Sequence, residues 1–325
     1  MIAAVFARWL AAAALLLLVV PSLHAQSAYP VKPIRVIVPI AAGSVTDVIM
    51  RAAGQELSAR LKQPLVIDNR TGASGIIGAE ACAKAPPDGY TICAIYTATT
   101  SVNPHVFDQL PYDPAKDFAP ITNLYYVTGV LVVPASLPVN SADELKALAT
   151  ARPRAVSFGT IGPGSYPEVF LTWLNRQWRT DMTAVPYKGG GPITIALMSG
   201  EIQASAVGLG NMIGQVQGGQ VRALAVSGAK RSPLFPRVPT FAEAGLGGFA
   251  GNLWWGLAAP AGTPKAVIAR LNAEFAKLFS EPRFAEFLDS QAVEPAISTP
   301  EAYAAFLKAD RDWTATLINS TRKPR

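Results

Sequence analysis

Twice in this chain, more than a hundred residues apart, a short apolar strand runs into a glycine-containing loop and then straight into a helix. The first unit is strand Ile34–Pro39 (IRVIVP), loop Ile40–Val45 and a helix from about Thr46 to Leu61. The second is strand Val156–Gly159, loop Thr160–Ser165 and a helix over Pro167–Trp178. Ile34–Pro39 lacks the polar alternation of a half-exposed strand, so it is expected to be buried on both faces, as in a parallel sheet covered by helices. In the first helix, Ile49, Ala53, Leu57 and Leu61 recur at the spacing of one buried stripe. In the second, Phe170, Trp173, Leu174 and Gln177 fall on one face.

Short apolar runs continue to alternate with helical stretches, the pattern of an α/β protein with mainly parallel pairing. Leu65–Asp68 reads as a strand, Gly72, Gly75 and Gly78 punctuate the turn into another helix, and Pro86-Pro87-Asp88-Gly89 ends that helix before strand Tyr90–Tyr96. Ser141–Thr150 reads as a helix, with Ser141 and Glu144 spaced for a capping box. From Thr263 to Ser320 the pattern is helical, with Pro264 and Pro300 at first helical turns. A doubled strand–loop–helix unit implies two similar α/β lobes, and a helical tail packs back on an earlier one. The expected division is therefore residues 26–125 with 254–325 in one lobe and 126–253 in the other.

The first 25 residues are expected to be a secretory signal peptide. Arg8 supplies a basic start, Trp9–Val20 is apolar but short for a bilayer span, and Pro21 breaks the run before a cleavage site after Ala25. The alternative is an uncleaved N-terminal anchor. No cysteine follows the apolar run, so a lipid anchor is not expected, and no later segment is apolar for long enough to span a membrane. Cleavage would leave about 300 residues, enough for one large domain or two ordinary ones.

Half of the chain is apolar and 15% charged, a balance that suits a packed globular protein. The formal charge of +6 falls to +5 without Arg8, and the basic residues are scattered rather than interleaved with aromatics, so nucleic acid is not an expected partner. A mildly positive field helps to gather anions. Cys82 and Cys93 either form a disulfide, as an exported protein allows, or remain two buried thiols. With His105 the only histidine beyond the leader, no metal site is expected.

The two strand-to-helix loops carry the candidate chemistry. Open α/β sheets bind ligands at the carboxyl ends of their strands, and a helix start offers unpaired amides and a favourable dipole to a negative group. The first loop brings Ala42, Gly43, Ser44, Thr46 and Asp47; the second brings Gly162, Gly164 and Ser165. Ser44 with Asp47, and Ser165 with Glu168, also read as capping boxes, in which case each acid uses donors that a ligand would want. Asp47 has a second reading, as acceptor for a ligand hydroxyl or ammonium. Further candidates are Thr99, in a polar cluster past the strand ending at Tyr96, and Tyr187 and Gly190 in the turn Tyr187–Pro192. Lys188 reads as a surface lysine or an anion contact, Gly208–Asn211 as a further lining segment, and one of Trp254 and Trp255 as facing a cleft.

Catalytic patterns are absent. There is no G-x-S-x-G elbow, no Cys-x-x-Cys, no P-loop and no dinucleotide fingerprint, so neither catalytic residues nor a cofactor are expected.

More specific are Asp68-Asn69-Arg70 with Gly72, Gly75 and Gly78, Pro87-Asp88-Gly89-Tyr90-Thr91, Leu110–Pro114, Lys116–Ile121, Val185–Gly190, Arg222–Val226, Val238-Pro239-Thr240 with Glu243-Ala244-Gly245, and Ala259–Pro264. In these the chain, from about Tyr29 to its C-terminal region, resembles the Bug (TctC-like) family, the extracytoplasmic solute receptors of tripartite tricarboxylate transporters. The resemblance implies a two-lobed periplasmic binding protein fold of type II, a monomer that binds a small organic anion, a carboxylate, for membrane transporter subunits. It puts Gly43, Asp47, Gly162, Gly164 and Ser165 at the family's ligand loops. Two departures stand out. Ala41-Ala42-Gly43 replaces Pro-Gly-Gly, and Glu168 stands where histidine is frequent. Together they favour a monocarboxylate, or a ligand with a positive or hydroxyl group, over a standard dicarboxylate. Two rival readings remain: an exported enzyme on the same scaffold with Asp47 or Glu168 as base, and a ligand sensor for a membrane signalling protein.

Overall fold

In the computed structural model, residues 29–249 and 253–321 are described; the leader and its cleavage site at Ala25 lie outside them. Strand β1 (Ile34–Val38) is an interior strand of the first lobe's sheet, and Ile34, Val36, Ile37 and Val38 are fully buried. Burial on both faces follows from its neighbours: β1 pairs in parallel with β2 (Leu65–Asn69) and β3 (Thr91–Tyr96), and helices cover the sheet above and below. Helix α1 (Val45–Leu61) connects β1 to β2 and buries the expected stripe of Ile49, Ala53, Leu57 and Leu61. Helix α2 (Ile76–Ala83) connects β2 to β3 on the other face. After β3 comes a π-helical turn, Ala98–Val102, and the short helix α3 (Asn103–Val106).

Strand β4 (Phe118–Val127) passes to β5 (Gly129–Pro134) through Thr128 alone, and so leaves the first sheet for the second. The second lobe contains helix α4 (Ala142–Ala151), β6 (Ser157–Thr160), α5 (Tyr166–Trp178), β7 (Thr183–Pro186), α6 (Gly190–Ser199), β8 (Ala204–Gly208), α7 (Ile213–Gln217) and β9 (Val221–Val226). Its strand order is β7-β6-β8-β5-β9, with β6 parallel to β7 and β8. Strand β5 runs antiparallel to both of its neighbours. Phe170, Trp173 and Leu174 of α5 are buried as expected, but Gln177 is exposed, and the next residue, Trp178, packs on the core in the last turn. Ser141 caps α4 through the Glu144 amide at 3.1 Å, while the Glu144 carboxylate accepts from the Asn140 amide, one residue before the cap.

The chain then returns. Strand β10 (Leu253–Pro260) inserts antiparallel between β3 and β4, giving the order β11-β4-β10-β3-β1-β2. Helices α8 (Lys265–Phe279) and α9 (Pro282–Ser290), the short strand β11 (Val293–Pro295) and helix α10 (Pro300–Thr321) complete this lobe. The tail expected to be wholly helical thus contains one three-residue strand, which pairs with β4. Pro300 opens α10, whereas Pro264 is the N-cap of α8 rather than its first helical residue. Phe275 of α8 packs on the α1 face of the sheet, and Tyr303 and Leu307 of α10 on the α2 face.

Cys82 of α2 and Cys93 of β3 form a disulfide across a Cα–Cα distance of 6.1 Å, which settles the choice between bridge and free thiols. Among the described residues no helix is long and apolar enough to cross a membrane, and no cluster of His, Cys, Asp and Glu has the makings of a metal site.

Candidate functional site

Parallel strands that feed helices point all their helix starts toward the carboxyl edge of the sheet. Here two such edges face each other. Between them lies a cavity of about 430 Å³, bordered by residues at the starts of α1, α2, α5 and α6 and by β8 and β10. The sequence residues that it brings together are Ser44, Thr46, Ser165, Tyr187 and Gly190, with Lys188, Gly208, Asn211 and Trp255 from the segments noted alongside them.

The lobes touch around this cavity. Ser74 Oγ donates to the Pro163 carbonyl. Gly210 sits against Val45 and the Gln291 carbonyl, and a Cβ on Gly189 would lie 3.6 Å from that of Ala41. One end of the cavity is therefore formed where the starts of α1 and α6 meet the segment Gly208–Asn211. The other lies near Ser74, Pro163 and the aromatic residues of β3, β10 and α5.

Each helix start offers a different set of donors. At α1, Val48 N bonds to the Ser44 carbonyl and Asp47 N to Ser44 Oγ at 3.3 Å, leaving the Val45 and Thr46 amides as first-turn donors. At α6, the Gly190 and Gly191 amides precede Pro192, which has no N–H. At α5, Pro167 is itself inside the first turn. The start of α2 is closed on itself: Gly75 N donates to the Gly72 carbonyl and Ile76 N to that of Ala73. Gly75 takes φ +84, and a Cβ there would meet Thr99 Cγ2 and the Tyr96 hydroxyl at 2.8 Å, so glycine is what lets this turn pack on β3.

Asp47, read from the sequence as an acceptor facing the ligand, does not line the cavity in this arrangement; its carboxylate is held by neighbouring groups. Its carboxylate is 2% exposed and lies outside the cavity lining. It accepts from Gly43 N at 2.9 Å, Arg51 Nε at 3.0 Å and Asn69 Nδ2 at 2.9 Å. Burial by itself would raise its pKa, but the Arg51, Gly43 and Asn69 hydrogen bonds outweigh it and hold the carboxyl below its ordinary value. The acid thus braces the loop, and its charge is matched by Arg51.

Other expected contacts also fall elsewhere. Ala42 and Gly43 are exposed at the outer side of the loop, and the Gly43 amide is already bonded to Asp47. Thr99 is fully buried and folds back on β3, donating to the Tyr96 carbonyl at 2.9 Å. Gly162 is buried behind Ser74, its amide pointing to Thr160 Oγ1. Gly164 faces Asn103 and Val102 across the lobe contact, not the cavity. The Ser165–Glu168 capping box does not form: Ser165 Oγ accepts from Ile161 N at 3.2 Å instead. Glu168 borders a separate small cavity with Val106, Gly164 and Trp173.

Missing from the site residues expected from the sequence are Thr71–Gly75 and Tyr96. The first is a third strand-to-helix loop, after β2, and obeys the rule that singled out the other two; its glycines alone could have flagged it. Tyr96 stacks on Trp255 with ring centroids 4.4 Å apart and planes at 16°, and both rings line the cavity. Of the two tryptophans considered, Trp254 points the other way and packs edge-on against Tyr303 and Phe306.

Among the lining residues the only charged side chain is Lys188, exposed at the rim. Two of the three lining tyrosines, Tyr187 and Tyr166, have their hydroxyls engaged or buried away from the cavity. Tyr187 donates to Glu201 at 2.6 Å, and burial together with that carboxylate pushes its pKa up to about 12. The Tyr166 hydroxyl is buried against Gly129, and that of Tyr96 lies beside Gly75. Burial raises the pKa of both.

Comparison with known proteins gives one consistent answer. Protein BugT of Bordetella pertussis is 32% identical over 294 residues, 90% of this chain and 90% of its own. A solved structure of a Rhodopseudomonas palustris protein with adipate is 32% identical, with a TM-score of 0.87 over 90% of this chain and 98% of that one. MatC from the same organism, solved with bound malate, is 29% identical with a TM-score of 0.84, over 89% of this chain and 100% of its own. The family model for the tripartite tricarboxylate transporter family receptor matches residues 49–322. The two-lobed α/β fold, the cleft between facing strand edges and these matches identify the chain as a member of the TctC family of tripartite tricarboxylate transporter receptors.

Proposed function

We propose that this protein is an extracytoplasmic receptor that holds a small carboxylate between its lobes for uptake by the membrane subunits of a tripartite tricarboxylate-type transporter. The observation that carries the reading is the convergence of the α1 and α6 starts on one cavity of about 430 Å³ whose single charged lining residue is cationic. Helix starts supply oriented amides and a positive dipole end, so a carboxylate is the group best matched to them. The volume falls in the range of small-molecule sites. Relatives solved with adipate and malate agree with an organic acid.

Its action is binding without chemistry, in the periplasm and as a monomer. No Asp, Glu, His or Cys lines the cavity among the described residues, so neither Asp47 nor Glu168, the bases named for the enzyme alternative, stands in its wall. The lobes are taken as residues 26–125 with 254–325 and residues 126–253; the end of β4 at Val127 and the start of β10 at Leu253 fall within two residues of these bounds. Thr128 then serves as one hinge strand for closure.

The test is a thermal-shift screen of organic acids with tryptophan fluorescence, which Trp255 in the cavity wall makes informative. A ligand at 100 times its Kd should add about 2.7 kcal/mol to stability. No shift and no fluorescence change across di- and monocarboxylates would remove the reading. Ligand recovered chemically altered after long incubation would favour the enzyme alternative instead.

A further inference from the structure

We infer that the cavity selects a monocarboxylate with a flat aromatic body over a diacid or an amino acid; this rests on the carboxylate-receptor reading above. The two ends of the cavity are chemically unlike. At the α1–α6 end stand the first-turn amides of both helices, with Lys188 and Asn211 beside them. The acid within the first turn of α1, Asp47, is neutralised there by Arg51 at 3.0 Å. That end is fit to hold one carboxylate.

The opposite end is fit for a ring. Trp255 and Tyr96 form a stacked wall, and Tyr166 and Leu253 extend it. Tyr96, Tyr166 and Leu253 also border a small apolar recess behind it, shared with Val102 and Phe249. The Tyr166 hydroxyl is buried against Gly129, so this wall offers mainly aromatic carbon, against which an aromatic body packs favourably.

A second carboxylate finds poor support at this end. At the start of α2 the Gly75 and Ile76 amides are already bonded to the Gly72 and Ala73 carbonyls. The start of α5 lacks the amide of Pro167 and carries Glu168, which has no ion pair among the described residues. From the neighbouring cavity that negative charge offsets the positive dipole end of α5 that a second anion would use. An ammonium fares no better, because no acidic side chain lines the cavity and a buried cation needs a partner. The combined geometry reverses one expectation from the sequence: Glu168 disfavours a diacid without offering a partner to a positive ligand.

Isothermal titration of the purified protein with benzoate, phenylacetate, hexanoate, adipate, malate and phenylalanine tests this. Benzoate or phenylacetate should bind at least tenfold more tightly than adipate, malate or phenylalanine. Trp255→Leu should weaken the aromatic acids tenfold or more and hexanoate less than threefold; circular dichroism checks its folding, and Tyr96→Leu serves if it fails to fold. Glu168→Gln should strengthen adipate at least threefold and leave benzoate within twofold. Adipate or malate binding as tightly as the aromatic acids overturns the inference while leaving a carboxylate receptor. Equal losses for hexanoate and benzoate in Trp255→Leu, or no gain for adipate in Glu168→Gln, also overturn it. Binding of none of the six at millimolar concentration removes the underlying receptor reading as well.

Discussion

Asn69 donates its side-chain amide to Asp47 at 2.9 Å and to the Ile40 carbonyl at 3.1 Å, tying the end of β2 to the loop that opens α1. Arg51, one turn along α1, closes the set by reaching both Asp47 at 3.0 Å and Asn69 Oδ1 at 2.8 Å. Removing the carboxylate leaves the Gly43 amide, the half-buried Asn69 amide and the partly exposed Arg51 charge without their acceptor. Asp47→Ala should therefore cost about 1–2 kcal/mol of stability, the lower range for losing charged hydrogen bonds, because water can reach the Gly43 and Arg51 donors left behind. Denaturant titration checks this; a change below about 0.5 kcal/mol would mean that solvent already serves these donors.

The same carboxylate sets a pH dependence. Its folded pKa lies below the ordinary value of 3.8, so its contribution is fully present above that value and is lost as pH falls through the lower, folded one. Wild-type stability should thus decline below about pH 4. In Asp47→Asn this part of the decline should be missing, so the two denaturation midpoints should converge as the pH is lowered. Parallel curves from pH 7 to pH 3 would assign the acid sensitivity to other carboxylates.

Much of this was legible because it is periodic. The stripe from Ile49 to Leu61, the buried strand β1 and the α5 face at Phe170 and Leu174 follow from side-chain spacing alone. The two-lobe plan follows from the repetition of one unit. What could not be read is direction and distance. Ser44-x-x-Asp47 is visible as a pattern, but the partner that commits Asp47 lies 22 residues away and is brought to it by the parallel pairing of β1 and β2. Gly43 and Gly164 both looked like ligand-facing glycines, yet a loop has two sides, and each glycine faces away from the cavity. Glu168 sits near the second loop in sequence, while the rotation of α5 turns its side chain to another cavity. The stacked Tyr96–Trp255 wall joins residues from opposite ends of one lobe and leaves no local trace.

The disulfide is a separable element of stability. Cys82 and Cys93 are both buried and join α2 to β3 over a sequence separation of 11. Closing a loop of that length is worth about 3 kcal/mol through the unfolded chain. The double variant Cys82→Ala/Cys93→Ala should lose about that much, and the wild type should lose a comparable amount in strong reductant, whereas the variant should be insensitive to it. Ligand affinity should change little, since neither cysteine lines the cavity. Equal denaturation midpoints with and without reductant in a protein shown to be reduced would refute the estimate.

Gly164 is the place where cleft closure is open to a single substitution. It takes φ +76, a region that costs a β-branched residue dearly. A Cβ there would stand 3.1 Å from Asn103 Oδ1 and 3.2 Å from Val102 Cγ1 on the other lobe. Asn103 in turn holds the Ser74 carbonyl at 3.1 Å, and Ser74 donates across to Pro163, the neighbour of Gly164. Valine at this point therefore forces apart the edge at which the lobes meet, without touching the ligand. Gly164→Val should weaken ligand binding at least tenfold, about 1.4 kcal/mol, chiefly through faster release. Each lobe keeps its own core, so the circular dichroism of the ligand-free variant should be unchanged. Gly162→Ala, where a Cβ has 3.8 Å to Ser74 Oγ, is the milder companion and should weaken binding less. Stopped-flow fluorescence gives the release rate directly; wild-type release in Gly164→Val would show that the lobes close on ligand without this contact.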